Sequence, residues 1–334
     1  MSAPDPCFIC SSRPGIRTCD LCDSPRYCDD HEKYHRDPAS GQCYPYTVSR
    51  MEGVGRVLLA SRTIEPGEEI FREEEMVVGP NRKTPPVCLG CGRKVSGSVR
   101  CPGCGWPMCS VNNCPEIVQH TAQECGIIAA TGERIEDNPE GNDQPSHFYK
   151  AIMTLRVLLL PDNDMSYLLE FMDHHDDRDQ AEADSVVEII RSSWGQEHFS
   201  EEMIRRVEGI LDVNTVEHRV TGGPSGRSFL PITSLASHSC RSNSFKDKVS
   251  VSGWVVTRAK RRIEAGQEIT FHYCAGLRGR LVRRRVLHEV SYFPCKHPHH
   301  IECFHSQKII KNLSHNLTYG LILCFRKLCA VKLD

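Results

Sequence analysis

The chain has 334 residues, with 41 Lys and Arg set against 43 Asp and Glu for a formal net charge of −2. That length allows two or three domains with a real hydrophobic core, and the balanced charge excludes an overall pull towards nucleic acid or an anionic membrane. Nineteen cysteines with no apolar N-terminal stretch resembling an export signal point to metal in a reducing, intracellular compartment and against disulfides.

The first cysteine group falls within the opening 43 residues: Cys7-x2-Cys10, Cys19-x2-Cys22, Cys28, His31, His35 and Cys43. The character changes after Arg50. Val57-Leu58-Leu59-Ala60, then Thr63 to Phe71 around Pro66-Gly67, predict two short strands about a turn. Residues 88 to 125 hold eight soft ligands: Cys88, Cys91, Cys101, Cys104, Cys109, Cys114, His120 and Cys125. Zn²⁺ takes four thiolate or imidazole ligands tetrahedrally, so eight ligands mean two ions. Alternating pairs of this kind usually cross-brace, with pairs one and three on one ion and pairs two and four on the other.

Thr131 to Ser146 reads as an exposed polar loop. Helical periodicity then predicts helices over His147–Leu160, Met165–Asp173, Ala181–Ser193 and Glu201–Leu211. The run His174-His175-Asp176-Asp177 reads as a solvated helix end, because adjacent histidines on a regular helix cannot face one ion. From Phe229 to Tyr273 short β segments return. Residues 276 to 290, with Arg278, Arg280, Arg283, Arg284 and Arg285, form a basic amphipathic pattern whose ordinary meaning is a solvated face. The late apolar segment Leu321–Val331 is too short for a membrane span and is broken by Arg326 and Lys327. Asn312-Leu-Ser and Asn316-Leu-Thr match glycosylation acceptors by chance in an intracellular chain.

Several motifs in order resemble the SET-and-MYND lysine methyltransferases, most closely their arthropod-specific branch, over about Cys7 to Lys296. They are Gly55-Arg56-Val57 with Ile64-Glu-Pro-Gly-Glu; the array Cys88 to Cys125, similar to an inserted MYND finger; and Gly209-Ile-Leu-Asp-Val-Asn214, similar to the strand ahead of the cofactor site. They continue with Ser234-Leu-Ala-Ser237-His238-Ser-Cys240-Arg-Ser242-Asn243 and with Ala265 to Tyr273 as the closing strand. The implied fold class is α+β: a β-rich SET domain split by a MYND zinc finger and a helical insert, behind an N-terminal MYND-like finger. The implied division is 1–46 N-terminal finger, 47–87 first SET part, 88–125 MYND finger, 126–225 helical insert, 226–275 SET core, 276–303 post-SET-like segment and 304–334 divergent tail. In the N-terminal finger the resemblance implies Cys7, Cys10, Cys28 and His31 on one ion and Cys19, Cys22, His35 and Cys43 on another, with His35 substituting where the usual histidine aligns near Ala39.

The resemblance implies zinc and S-adenosyl-L-methionine as cofactors and a protein lysine side chain, histone or non-histone, as substrate. Tyr273 would be the catalytic hydroxyl, orienting methyl group and amine. Gly55 and Arg56 would lie near the cofactor's carboxylate; Asn214, Ser234 and His238 would contact its amino-acid end and ribose. Ser237 stands where the family has asparagine, and Phe293 would lie against adenine. Three further positions depart from the pattern: Val57 for a glycine, Leu230 for a tyrosine and Ser242 for a proline. A post-SET zinc site would need Cys240 and Cys295, with His297, His300 and Cys303 replacing the usual cysteines. The pattern stops at His297, which reads as an alternative terminal exon. Two functions therefore stand: a zinc-containing methyltransferase in transcriptional or chromatin regulation, in nucleus or cytoplasm, and a catalytically weak MYND adaptor that binds proline-containing peptides. Nucleic-acid binding is not expected, since MYND arrays lack a recognition helix, and no membrane partner is expected.

Overall fold

The computed structural model describes residues 5–22, 26–52, 54–81, 86–110, 114, 117–132, 147–174, 180–218, 226–248, 254–273, 285 and 287. They form two compact units: one of Met1–His238 with Ser242–Phe271, and a second of Ser239–Arg241 with the residues from His272 onward.

In the first unit, β1 (Arg17–Thr18) and β2 (Arg26–Tyr27) make a small antiparallel ribbon in the N-terminal finger. The hairpin β3 (Tyr46–Met51) and β4 (Gly55–Ala60) follows, with Met51 opposite Gly55 and Tyr46 opposite Ala60. β5 (Glu69–Glu74) then pairs antiparallel with β10 (Trp254–Ala259), which also pairs with β9 (Ser244–Lys248). The predicted turn lies between β4 and β5. Pro66 presets its own φ, and Gly67 at φ +83° takes the left-handed position that closes the Glu68 N–H onto the Glu65 carbonyl at 3.0 Å. The fourth sheet runs β6 (Val77–Pro80), β8 (Gly226–Phe229), β7 (Val216–His218). Residues from the two halves of the chain thus share two of these sheets.

The insert between them begins with two short helices, α1 (Ile117–Thr121) and α2 (Cys125–Thr131). It continues through α3 (His147–Leu158), α4 (Asp162–Leu168), α5 (Gln180–Glu188) and α6 (Glu201–Asn214). A π turn at Ile189–Ser193 ends α5. Ser200 caps α6 by accepting the Met203 N–H at 3.2 Å. Three of the four predicted helices are present within a few residues of their expected bounds, whereas the one expected over Met165–Asp173 runs Asp162–Leu168 and leaves 169–173 outside it. One expectation is corrected: Gly209–Asn214 is the last part of α6, not a strand. The helical period of Ile204, Val207, Ile210 and Leu211, all buried, decides it.

The core runs through fingers, sheets and helices alike. Trp106 of the central finger is fully buried and meets Phe148, Tyr149 and Trp194 edge-on, with ring centroids 6.2, 6.4 and 6.1 Å away. The Tyr149 hydroxyl accepts the Val87 N–H at 2.8 Å. Inside α3, Lys150 is buried against Glu208 and lies 3.1 Å from Glu182 and 2.9 Å from Asp212.

Candidate metal centres and cofactor site

Four clusters each bring four metal-ligating atoms within 4.8 Å of one another: Cys7/Cys10/Cys28/His31, Cys19/Cys22/His35/Cys43, Cys88/Cys91/Cys109/Cys114 and Cys101/Cys104/His120/Cys125. Those are the expected partitions, cross-bracing included. Cys-x2-Cys turns supply the first pair of each set; in the central finger, Gly92 and Gly105 follow those turns with φ +69° and +76°. A tetrahedral Zn²⁺ with bonds of roughly 2.1–2.3 Å sets ligand atoms roughly 3.5–3.8 Å apart. The observed separations lie at that spacing or a few tenths of an ångström below it: Cys7–His31 3.5 Å and Cys28–His31 3.2 Å in the first cluster, Cys19–Cys43 and Cys22–His35 both 3.4 Å in the second. Cys88–Cys114 and Cys91–Cys109 are 3.7 and 3.5 Å, and Cys101–Cys125 and Cys104–His120 are 3.5 and 3.3 Å. The donor set suits zinc in all four.

Outer contacts fix these ligands. Burial opposes ionisation of Cys101, but the backbone N–H groups of Cys104 and Gly103 draw its thiol down to about 7. His120 turns its Nδ1 to Glu124 Oε1 at 2.9 Å while its Nε2 faces Cys104. Such a carboxylate sets the tautomer and aim of a ligating imidazole. Glu124 is fully buried and pairs with Arg156 of α3 through Nε at 3.0 Å and Nη2 at 2.5 Å. Burial opposes the Glu124 charge, yet Arg156 and His120 hold its pKa below the ordinary value. Arg156 also donates to the Val78 carbonyl of β6 and the Leu89 carbonyl of the finger, both at 2.7 Å. In the N-terminal finger Arg36 donates to the Cys19 sulfur at 3.2 Å.

A second constellation gathers where the two halves of the chain cross. Gly55 opens β4 at φ +96°, with nothing within 4 Å of where a side chain would begin; the conformation favours glycine, and the space above it is open. β4 joins residues 267 to 269 through the Ala60 N–H to Gln267 carbonyl bond at 2.9 Å and Ile269 N–H to Leu58 carbonyl bond at 2.8 Å. Two residues on, the Phe271 N–H donates to the Ser237 carbonyl at 3.0 Å, and Phe271 bridges His238 in parallel. Asn243 pins the same segment, donating to the Glu268 carbonyl at 2.8 Å and accepting the Thr270 N–H at 2.8 Å. Residues 267 to 271 therefore lace Gly55's strand to Ser237 and His238. Ser234, in the 3-10 turn Thr233–Leu235, donates to the Asn214 carbonyl at 2.9 Å. Asn214 spends both amide protons on the Met172 and Ile210 carbonyls, each at 2.9 Å. Its amide oxygen is what it can offer, an acceptor suited to an ammonium.

Glu73 of β5 holds that turn in place. Fully buried, it accepts the N–H groups of Ile232 and Thr233 at 2.6 and 2.9 Å and the Thr233 hydroxyl at 2.5 Å. Burial pushes its carboxyl up to about 7 against those bonds and Lys246.

Arg56 is corrected. Its guanidinium donates to the Ile9 carbonyl at 3.0 Å, pairs with Glu170 at 2.9 Å and lies over the Phe171 ring at 4.5 Å, so its donors serve the N-terminal finger and α4 flank, not a ligand carboxylate. Val57 and Leu230, two departures from the expected pattern, are buried core side chains. Cys240 and Tyr273 belong to the second unit, where Tyr273 is exposed. Phe293, Cys295, His297, His300 and Cys303 lie outside the described residues, as do the 133–146 loop, residues 175–177, the 304–334 tail and all of 276–290 except Arg285 and Leu287.

Glu73, Glu124, Arg156 and Lys150 escaped sequence reasoning. Glu73 hides at the head of Glu73-Glu74-Glu75, which looks like surface charge. Lys150 and Arg156 had a readable signal, each a lone cation in the apolar helical run of α3.

Residues 164–274 match the SET domain family. The chain is 30% identical over 265 residues to "SET domain-containing protein SmydA-8, isoform B" of Drosophila melanogaster, covering 72% of this chain and 54% of that protein. Against isoform A it is 25% identical over 258 residues, covering 75% and 54%. The chain thus spans about half the length of these curated relatives. Among solved structures it is similar at 12% identity to the SET domain of LSMT bound to lysine and AdoHcy, with TM-score 0.37 over 69% of this chain and 49% of that one. Rubisco LSMT bound to AdoMet is similar at 12% identity and TM-score 0.36, over 69% and 48%.

Proposed function

We propose that this chain, a SMYD-like SET-domain protein, transfers a methyl group from S-adenosylmethionine to a lysine side chain of a protein substrate, with zinc in its Cys/His clusters. The observation that carries the reading is the lacing of Gly55, Ser237 and His238 by residues 267–271, beside the joined pair Asn214 and Ser234. Bound there, S-adenosylmethionine supplies an electrophilic methyl group on a sulfonium. The residues suited to hold it are Gly55, whose open Cα lets a ligand approach the backbone, Asn214 through its amide oxygen, and Ser234, Ser237 and His238 along the same turn.

The chemistry asks little covalent help of the protein. Alignment of donor and amine in a closed channel supplies roughly 7–11 kcal/mol. An apolar channel lowers the lysine pKa and so provides the neutral nucleophile. Tyr273 is the residue we assign to orienting the amine, as a fixed dipole that need not reorganise. Phe293 is assigned to the adenine face, and Cys240 with Cys295 to a post-SET zinc site. Histone or non-histone protein substrates, and a role in transcription, are the expected setting in nucleus or cytoplasm.

A second reading is a MYND adaptor binding proline-containing peptides, with the SET domain as scaffold. One observation favours it: Arg56, expected at the cofactor carboxylate, is consumed by Ile9 and Glu170. Calorimetric titration with S-adenosylmethionine separates the two. Binding, with Tyr273→Phe lowering methyl transfer to a peptide library at unchanged zinc content, supports the enzyme; no heat at millimolar donor supports the adaptor.

A further inference from the structure

The first N-terminal cluster reaches both halves of the candidate cofactor site. On one side, Ile9 stands between ligands Cys7 and Cys10, and its carbonyl accepts from Arg56, the residue next to Gly55. Ser12, two residues past Cys10, donates to Glu170, which pairs with the same guanidinium at 2.9 Å. On the other side, the ring of ligand His31 packs 4.8 Å from the ring of Tyr167. The Tyr167 hydroxyl donates to the Pro231 carbonyl at 3.0 Å. Pro231 leads into the turn that Glu73 grips at Ile232 and Thr233 and that carries Ser234, Ser237 and His238 onward. Tyr34, next but two after His31, adds a further tie: its carbonyl accepts the Tyr46 hydroxyl of β3, and its ring stacks 5.9 Å from Tyr167.

These contacts lie in the interior. Cys7, Ile9, Cys10, His31 and Tyr167 are all buried, so water cannot replace a lost partner without repacking. The finger has little else to keep its shape. Among its described residues the regular structure is a pair of two-residue strands and one three-residue 3-10 turn, too little to fold without metal. Emptying Cys7/Cys10/Cys28/His31 therefore frees the Cys7–Cys10 turn from Arg56 and the His31 ring from Tyr167 together.

We infer that metal occupancy at the Cys7/Cys10/Cys28/His31 cluster sets the affinity of the Gly55–His238 site for its methyl donor. The inference rests on the function proposed above and makes the N-terminal finger a regulatory part of that site. The coupling must be reciprocal: donor binding tightens the metal as much as the metal tightens the donor.

The test uses the full zinc-loaded chain and S-adenosylmethionine itself. Cys28→Ser is expected to lose one zinc per chain and to weaken S-adenosylmethionine binding tenfold or more by calorimetry. Tyr167→Phe, which keeps the ring stack and removes the hydroxyl bond to Pro231, is expected to keep all its zinc and weaken binding about threefold. In the wild type, saturating S-adenosylmethionine is expected to slow the release of one zinc class to a coloured chelator. Unchanged donor affinity after the Cys28→Ser zinc is lost overturns the coupling, as does zinc release indifferent to donor when donor binds. A wild-type chain that binds no donor overturns the underlying function as well, and is told apart by that first titration. Should Cys28→Ser fail to fold, Tyr167→Phe and the release kinetics decide alone.

Discussion

Replacing Glu73 by Gln isolates the buried carboxyl that clamps the Ile232–Thr233 turn. The side chain takes three hydrogen bonds from Ile232 and Thr233; an amide keeps one acceptor oxygen and turns an NH₂ towards at least one of those donors. A buried donor left unmatched costs about 1–3 kcal/mol. A pH signature accompanies that loss. Burial raises the Glu73 pKa from 4.5 to about 7, so over the interval between them the folded chain keeps a proton that the unfolded chain has released. The resulting stabilisation is complete below the unfolded value and is lost as pH rises through the folded one. Integrating the proton difference from pH 6 to pH 8 gives a fall of about 1.3 kcal/mol in wild type, absent in Glu73→Gln. The neighbouring tyrosines do not blur this window: burial holds the hydroxyls of Tyr34, Tyr46 and Tyr167 above their ordinary pKa. Urea unfolding of both proteins, zinc-loaded, at pH 6 and pH 8 measures it. The variant is expected to be less stable at pH 6, with a gap that narrows by about 1.3 kcal/mol at pH 8. A gap that stays constant or widens with pH refutes the reasoning.

Two further predictions concern the central finger. Glu124→Gln keeps an acceptor for His120 but removes the charge facing Arg156; it is expected to weaken zinc at Cys101/Cys104/His120/Cys125 about tenfold or more in chelator competition, leaving the other clusters unchanged. Trp106→Ala empties the space against Phe148, Tyr149 and Trp194 and is expected to cost about 3–5 kcal/mol in urea unfolding while zinc content per chain holds.

The metal sites were legible because ligand chemistry is local. In the 88–125 array, Cys-x2-Cys turns and a closing His and Cys restrict which sulfurs can meet, and its two quartets assembled as the spacing implied; the two N-terminal quartets assembled as the family resemblance implied. His35 was readable as a substitute ligand only through the resemblance, where the family's usual histidine aligns near Ala39. The helices of the insert were likewise visible, since apolar positions at helical intervals announce a buried face without any knowledge of what covers it. Where resemblance overrode period, at Gly209–Asn214, the period was right.

The partners of the buried charges were not legible, because a charge is paid for by a partner distant in sequence. Arg56 and Ile9 are 47 residues apart, Glu73 and Thr233 160, and Glu124 and Arg156 32. Nothing within reach of Arg56 along the chain distinguishes a cofactor contact from a bond to a finger carbonyl. The amino-acid sequence alone determined the two ligand sets of the 88–125 array and the helices of the insert, since each depends on residue type and short-range spacing, while the N-terminal ligand sets came through the family resemblance. Tertiary structure decided which polar groups meet in the interior, because a buried ion or hydrogen bond is stable only when chain segments folded from both halves converge on it.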